Sequence, residues 1–231
     1  MSISSSERLG RSNMTITLGY WDIRAKGEAC RYLLRYSGVG WTDRRIEMTE
    51  EGYKSWYSEK FELGLDLPNL PYLIDGDIKI TQTVAICRYL GRKFGLVPGD
   101  DEKDIVKCEM IEQEAHDLRT AFTKICFEKE DYEGKKLAYL DGMEKKLEML
   151  DKYIGDGPFV LGEKLTYVDF MLYEYVSQIR KMAPERVDPF VNLGKLLKAV
   201  EDLPQLQDHF NSELYKTGPI HPPFAAFTGL E

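Results

Sequence analysis

The sequence predicts an α/β domain followed by an all-helical domain, and two observations lead to this prediction. Strand-like and helix-like patterns alternate through residues 15–94, whereas the residues beyond 102 carry long helical periodicities and almost no strand pattern. Between these stretches lies a short segment rich in Gly, Pro and Asp, which is typical of a joint. We therefore expect a flexible extension at residues 1–13, an α/β domain at 14–96, a linker at 97–102 and a helical domain at 103–231.

The α/β domain opens with two pairs of a strand and a helix. Thr15–Tyr20 begins with alternating β-branched residues, which is typical of a strand, and Gly27–Ser37 has the apolar spacing of a helix. Trp41–Glu47 predicts a second strand, and the polar segment Met48–Lys60 predicts a loop with a short helix. The segment LDLPNLP that follows excludes a helix, because its two prolines remove backbone donors.

A hairpin and a third helix complete this domain. Tyr72–Ile74 and Ile78–Thr81 flank the tight-turn sequence DGD. Three apolar residues then recur at intervals of four, as on one face of a helix: Ile86, Leu90 and Phe94. The predicted order is therefore β-α-β-α-β-β-α, a βαβ unit extended by a hairpin.

Two long apolar seams dominate the helical domain. Apolar residues recur at alternating intervals of three and four over Cys108–Ile125 and again over Leu140–Ile154. These seams suit either an antiparallel helix pair or a parallel coiled coil, and the interruption at Asp131–Gly134 favours the antiparallel pair. Thr166 and Asp169 form a capping-box pattern ahead of another helix. Two shorter helices are expected over Leu193–Val200 and Pro204–Tyr215, with a coil tail at 218–231.

Composition disfavours several classes of function. Lys and Arg number 31 and Asp and Glu 39, so the formal net charge is −8 and sequence-independent nucleic-acid binding is disfavoured. No apolar run reaches the length of a membrane span, and the first dozen residues lack the apolar stretch of a secretory signal. The cysteines form no CxxC pair or Cys/His cluster, so no metal site is expected and we predict buried apolar roles for Cys30, Cys87, Cys108 and Cys126.

Three segments resemble the cytosolic glutathione transferases, and most of all their mu class. They are LGYWDIR at 18–24, KFELGLDLPNLPYLIDGDIKITQT at 60–83, and Thr166–Phe170. The resemblance extends from about Thr15 to the C-terminus. It implies a thioredoxin-like N-terminal domain, a helical-bundle C-terminal domain, a cytoplasmic homodimer, and glutathione as co-substrate with no other cofactor.

Such an enzyme must make a thiol nucleophilic near neutral pH. A free thiol has a pKa of about 8.5, and only the thiolate attacks an electrophilic carbon. Tyr20 is predicted to end the first strand, at a corner before a helix whose N-terminus adds partial positive charge. The resemblance implies that Tyr20 is the catalytic tyrosine and donates to the sulfur of glutathione. The alternative interpretation of Tyr20 is a core tyrosine at a strand end.

The resemblance also implies most of the contacts for glutathione. Trp56 and Lys60 resemble the family's partners for the glycyl carboxylate, an indole N–H and an ammonium. The segment 69–71 resembles the dock for the cysteinyl backbone, with the proline in cis. The residues that this implies are Asn69, Leu70 and Pro71, and Trp21 is added as a further contact beside Tyr20.

The γ-glutamyl end and the dimer follow from the same resemblance. Gln82 and Thr83 resemble the γ-glutamyl site at the start of the third helix, where backbone amides favour an anion; a helix cap is the alternative role for Thr83. Asp117 of the partner subunit matches the acidic residue that reaches the amine of the ligand. Leu67 and Arg88 are expected to contact the second subunit.

An apolar cavity beside Tyr20 is expected to take the electrophile. The predicted lining consists of Trp21, Ile23, Met48, Ile111, Phe127 and Phe224. A core position is the alternative for each of these apolar residues.

Three features depart from the mu-class pattern. Phe127 stands where the class usually has a tyrosine that assists additions to epoxides and enones. Leu67 stands where many members carry a phenylalanine key that enters the partner subunit. The loop between Met48 and Trp56 is shorter than in vertebrate members, which favours an invertebrate, helminth-like version.

Three functions remain open at this stage. The first is conjugation of glutathione to hydrophobic electrophiles for detoxification, and the second is a hydrophobic-ligand carrier on the same fold. The third is a glutathione-dependent isomerase, which would share Tyr20. A thiol-based redox enzyme is disfavoured, because the nearest cysteine, Cys30, lies ten residues beyond the strand corner.

Overall fold

The structure is a computed structural model that describes residues 15–230; the extension predicted for residues 1–13 lies outside the described residues. The order of elements up to residue 94 is the predicted β-α-β-α-β-β-α. These elements are β1 (Ile16–Trp21), α1 (Glu28–Tyr36), β2 (Trp41–Ile46), α2 (Glu50–Glu59), β3 (Tyr72–Asp75), β4 (Ile78–Thr81) and α3 (Thr83–Phe94).

The strands form one mixed sheet in the order β2-β1-β3-β4. β1 runs parallel to β2, with Ile16 opposite Trp41, and antiparallel to β3, with Thr17 opposite Ile74. The β3–β4 pair is the expected hairpin. Helix α1 packs against α3, while α2 lies against β2. The α/β prediction for this half of the chain is therefore confirmed.

Helices build the second half of the described chain. They are α4 (Glu102–Cys126), α5 (Tyr132–Ile154), α6 (Tyr167–Met182), α7 (Val191–Glu201), α8 (Gln207–Asn211) and α9 (Glu213–Thr217), with 3₁₀ turns at Pro184–Arg186 and Pro204–Leu206. The prediction of one helix over Pro204–Tyr215 was wrong. The backbone of Ser212 is extended, and its Oγ accepts from the amide of Tyr215, so this serine ends α8 and caps α9.

The α4 and α5 seams form an antiparallel pair. Lys107 Nζ donates to the carbonyl of Ile154, and Lys146 pairs with Glu114, so rising numbers on one helix meet falling numbers on the other. The connection between these helices spans only residues 127–131, which suits adjacent antiparallel helices. The coiled-coil alternative is thereby excluded.

Helix α6 is the centre of the molecule. Most of its side chains are buried, and it packs against α4 and α7 of its own domain and α1 and α3 of the other. Its predicted capping box is present: Asp169 Oδ2 accepts from the amide of Thr166, and Asp169 Oδ1 accepts from the amide of Val160. Asp169 thus joins the α6 N-terminus to the preceding loop.

A buried ion pair fastens α6 to the first domain. Arg24 Nη2 lies 2.7 Å from Glu174 Oε2, with side-chain exposures of 11% and 0%. Tyr32 donates to the same carboxylate at 2.8 Å. Arg24 and Ala25 also donate backbone hydrogen bonds to the carbonyls of Pro219 and Ile220 in the tail. The segment after β1, α6 and the tail therefore meet at one place.

Two further expectations concern the whole described chain. All four cysteines are free and buried, as their positions in apolar patterns predicted. None of the helices between residues 15 and 230 combines the length and apolar character needed to span a membrane.

Candidate functional site

Tyr20 lies near the end of β1, with only 4% of its surface exposed. The backbone amide of Lys26 donates to its hydroxyl at 3.2 Å. Burial raises the pKa of Tyr20 to about 12, although this amide and the charge of Arg31 act in the opposite direction. The hydroxyl is therefore protonated at neutral pH. Because its oxygen accepts from the amide, its own proton remains available to a ligand atom.

The turn after β1 is built around the buried Arg31. Its guanidinium donates to the carbonyls of Ile23 and Trp21, at 2.8 and 3.2 Å. A Cβ on Gly27 would lie 2.4 Å from Tyr20 Cδ1, so glycine lets the start of α1 approach the ring this closely. Arg31 and Gly27 together fix the Tyr20 ring against the first turn of α1.

Tyr20 borders a cavity of about 370 Å³ between the two domains. Five of the six predicted electrophile residues line it: Trp21, Ile23, Met48, Phe127 and Phe224. Ile111 does not. It is 1% exposed and lines a separate cavity between α4 and α5, with Met110 and Met149. Its place in the α4 seam directs it toward α5 rather than toward Tyr20, so Ile111 lies outside the proposed pocket.

Sequence reasoning missed nine of the fifteen residues that line the cavity. The missed residues are Ala25, Lys26, Tyr53, Tyr57, Arg119, Thr123, Gln178, His221 and Pro222. Part of this set carried a signal. Arg119, Thr123 and Phe127 are spaced four apart at the end of α4, so stepping back from Phe127 along one helix face leads to the other two. Gln178 and His221 carried no such signal, because only the packing of α6 and the tail brings them here.

The segment predicted to dock the cysteinyl backbone has one of its expected features. The Leu70–Pro71 peptide is cis. The Leu70 amide donates to Asn69 Oδ1 at 2.8 Å, so strand-like pairing with a tripeptide would require this bond to be exchanged. Gln82 caps α3 at φ 74° and ψ 118°, a conformation that a side chain disfavours. Thr83 Oγ1 donates to the Lys26 carbonyl, which ties α3 to the turn beside Tyr20.

Trp56 lies on α2, and Lys60 is the residue directly after this helix. Trp56 is buried and stacks on Tyr72, with ring centroids 6.0 Å apart and an interplanar angle of 10°. Lys60 Nζ lies 4.8 Å from the ring centroids of Tyr57 and Phe61. Trp56 is thus part of a small core as well as a candidate ligand contact, and Lys60 retains a charged end over aromatic faces.

The predicted intersubunit residues have different surroundings. Asp117 is exposed on α4, and Leu67 is 72% exposed in the loop before β3. Arg88 forms a bidentate pair with the buried Glu112, at 2.6 and 2.7 Å, so its guanidinium has a partner within this chain. Across residues 15–230, no three His, Cys, Asp or Glu side chains are grouped as a metal site requires.

Comparison with known proteins agrees with this arrangement. Residues 16–92 match the glutathione S-transferase N-terminal domain, and residues 116–213 match the C-terminal domain. Glutathione S-transferase Mu 2 of Rattus norvegicus is 40% identical over 210 residues, covering 90% of this chain and 95% of the relative. A glutathione S-transferase of Dermatophagoides pteronyssinus is 40% identical over 203 residues, covering 87% and 92%.

Solved structures share the whole fold. The crystal structure of the glutathione S-transferase Blo t 8 has a TM-score of 0.83 and 31% identity, covering 92% of this chain and 99% of that one. A Pi-class glutathione S-transferase of Onchocerca volvulus has a TM-score of 0.80 and 25% identity, covering 92% and 100%. With both domains matched and mu-class relatives at 40% identity, the chain belongs to the glutathione S-transferase family.

Proposed function

We propose that this protein conjugates the thiolate of glutathione to hydrophobic electrophiles. The observation that carries the proposal is the protonated Tyr20 hydroxyl at the edge of a cavity with largely apolar walls. A charge-assisted hydrogen bond contributes about 1.5–3 kcal/mol. Since each pKa unit corresponds to about 1.4 kcal/mol, Tyr20 alone lowers the pKa of a bound thiol by one to two units.

The reaction then needs little else from the protein. The thiol proton leaves to solvent, and the sulfur keeps the electron pair under the Tyr20 hydrogen bond. That pair forms the new S–C bond, while an aryl halide releases halide with the electrons of the C–X bond. The cavity holds the electrophile near the sulfur and excludes water, which makes the encounter effectively unimolecular.

The tripeptide is placed by contacts on the first domain. We assign the glycyl carboxylate to Trp56 and Lys60, and the cysteinyl backbone to the 69–71 segment. The γ-glutamyl carboxylate is assigned to Gln82 and Thr83 at the start of α3, where free amides and the helix dipole favour an anion. The strained φ of Gln82 supports this assignment, because such strain concentrates at binding sites.

The second subunit completes this proposal. Asp117 is exposed, and we assign it to the amine of the glutathione that is bound by the partner subunit. Leu67 is exposed, and the surface of α4 and α5 presents the apolar Met110 and Met149 around a separate cavity. Exposed apolar residues on both surfaces are consistent with a homodimer. A detoxifying role in the cytoplasm is the expected setting for such an enzyme.

The test is conjugation of glutathione to chlorodinitrobenzene by the purified protein. Tyr20→Phe should reduce turnover at least tenfold while leaving glutathione affinity nearly unchanged, because the hydroxyl acts on the sulfur alone. Tyr36→Phe, the same substitution at the far end of α1, is the matched control and should retain the wild-type rate. An unchanged rate in Tyr20→Phe would remove Tyr20 from the mechanism, and a wild type without turnover would favour the carrier function.

A further inference from the structure

The cavity beside Tyr20 combines apolar walls with a cluster of nitrogen atoms. Lys26, Arg119 and His221 all line it, and none of the described residues that line it is Asp or Glu. Lys26 is exposed and Arg119 is half-buried, so both cations are accessible to a ligand that binds in the cavity. The cluster therefore indicates a ligand group of opposite charge.

Arg119 is the principal charge of this cluster. It is half-buried on α4, and within residues 15–230 it forms no ion pair. Its one side-chain hydrogen bond in that range runs from Nη2 to Thr120 Oγ1 at 3.2 Å. Most guanidinium protons thus remain available, in the fork geometry that matches a carboxylate.

The neighbouring groups respond to the charge of Arg119. Burial first, and then the Arg119 charge, lower the pKa of Lys26. The same two causes lower the pKa of His221 to about 4, so this imidazole is neutral at neutral pH. An anion bound among these groups would relieve the repulsion between the two cations.

His221 offers a further hydrogen-bonding atom. It is 3% exposed, and its Nε2 has no hydrogen-bond partner among the described residues. Its ring packs edge-on against Phe127, with centroids 5.5 Å apart, and is held beside Phe122. A buried polar atom without a partner is rare in folded proteins, and a ligand that binds in the cavity is one way to satisfy it.

We propose that this cavity selects electrophiles with a carboxylate or similar anionic group on a hydrophobic body, with Arg119 as the charged partner and His221 as an additional hydrogen-bonding contact. The inference rests on the proposed function, since it names the substrate class of the same site. Its competitor assigns Arg119 to the sulfur of glutathione. In that case the charge would assist every electrophile equally.

The experiment compares two substrates that differ in one charge: a chloronitrobenzoate and the corresponding neutral carboxamide. Each kcat/KM is divided by the uncatalysed rate with glutathione, so intrinsic reactivity cancels. Arg119→Gln should lower the acid-to-amide ratio about tenfold, as expected for the loss of one charge-assisted hydrogen bond. Arg119→Lys should restore part of the ratio because it keeps the charge and loses the fork. Lys124→Gln, an exposed cation on the same helix, should leave the ratio at the wild-type value.

Three results separate the possibilities. Equal losses for both substrates, with a higher pKa of the bound thiol by ultraviolet absorbance, would assign Arg119 to the sulfur and overturn the inference. A ratio unchanged in Arg119→Gln would overturn it as well. A wild type that turns over neither substrate would contradict the proposed function itself, whereas turnover with an unchanged ratio contradicts only the substrate class.

Discussion

The two sides of the candidate site are built in different ways. On the glutathione side, the polar groups come from short segments whose backbone is fixed by turns, caps and strand ends, as at Tyr20–Lys26 and Gln82–Thr83. On the electrophile side, Arg119, Gln178 and His221 come from α4, α6 and the tail, and only tertiary packing brings them together. Backbone geometry thus defines the first side, and packed side chains define the second.

This difference has a functional consequence. Side chains on the helical wall can change without altering the fold, so specificity is adjustable there. The glutathione side depends on local backbone conformations, such as the positive φ of Gln82, and tolerates less change. The following predictions test whether the two sides are as separate as this comparison holds.

The largest expected effect is at the buried Arg24–Glu174 ion pair, which joins the first domain to α6. Arg24→Met should reduce the free energy of unfolding by about 3–5 kcal/mol, because it leaves the fully buried Glu174 carboxylate without its cation. Tyr32 and Gln178 still donate to that carboxylate, which limits the loss but does not replace the charge. Denaturant unfolding at fixed protein concentration measures the change.

An exposed ion pair provides the control for this measurement. Arg186 contacts Asp141 and Glu144, whose side chains are more than half exposed, so Arg186→Met should cost about 0–1 kcal/mol. If Arg24→Met also lowered the free energy of unfolding by only about 0–1 kcal/mol, the Arg24–Glu174 ion pair would not couple the two domains energetically.

The sequence predicted the fold better than the full lining of the cavity, and the reason is physical. The order of strands and helices up to residue 94 and the capping box at Thr166 depend on neighbours within a few residues. The cis Leu70–Pro71 peptide was implied by the family resemblance of the segment around it. Arg119 and His221 lie about a hundred residues apart, and no local pattern reports that they share a cavity. Ile111 was misplaced because an apolar residue in a helical seam does not reveal which neighbouring surface it faces.

The second prediction concerns the pH dependence of turnover. The pKa of Tyr20, raised by burial to about 12, keeps its phenol protonated across the working range, so Tyr20 should contribute no loss of kcat/KM on the alkaline side. When glutathione is saturating, the acidic limb of kcat/KM for the electrophile should follow the pKa of the bound thiol. In Tyr20→Phe this limb should move up by about one to two pH units, since each unit corresponds to about 1.4 kcal/mol of thiolate stabilisation. A limb that stays in place would show that the thiolate is stabilised from the helical wall instead.

The third prediction separates strain from binding at Gln82. Gln82→Gly relieves the positive φ, so the free energy of unfolding should stay level or rise by about 1 kcal/mol. Glutathione affinity should fall in the same variant, because the side chain is lost. Gln82→Ala keeps the strain and loses the same contacts, so it should bind weakly without any gain in stability. If Gln82→Gly and Gln82→Ala changed the free energy of unfolding by the same amount, Gln82 would not be strained. If neither variant lost glutathione affinity, its side chain would not be a binding contact.

The smallest expected effect lies on the helical wall, at Phe127. Its ring contacts His221 and Phe224 at centroid distances of 5.5 and 5.8 Å, and the side chain is partly exposed at the cavity. Phe127→Tyr adds a hydroxyl that can donate to the oxygen of an enone or epoxide as negative charge develops there. At about 0.5–1.5 kcal/mol for one partly exposed hydrogen bond, kcat/KM for an enone should rise a few-fold.

Substitution of an aryl chloride should change much less in that variant, because its leaving group needs no proton donor at this position. The thiol pKa of the bound glutathione should also stay constant, since Tyr20 is untouched. If the new hydroxyl instead raised kcat/KM equally for the enone and the aryl chloride, or shifted the pKa of the bound thiol, the helical wall would act on the nucleophile. The division between a side that activates glutathione and a side that selects the electrophile would then fail.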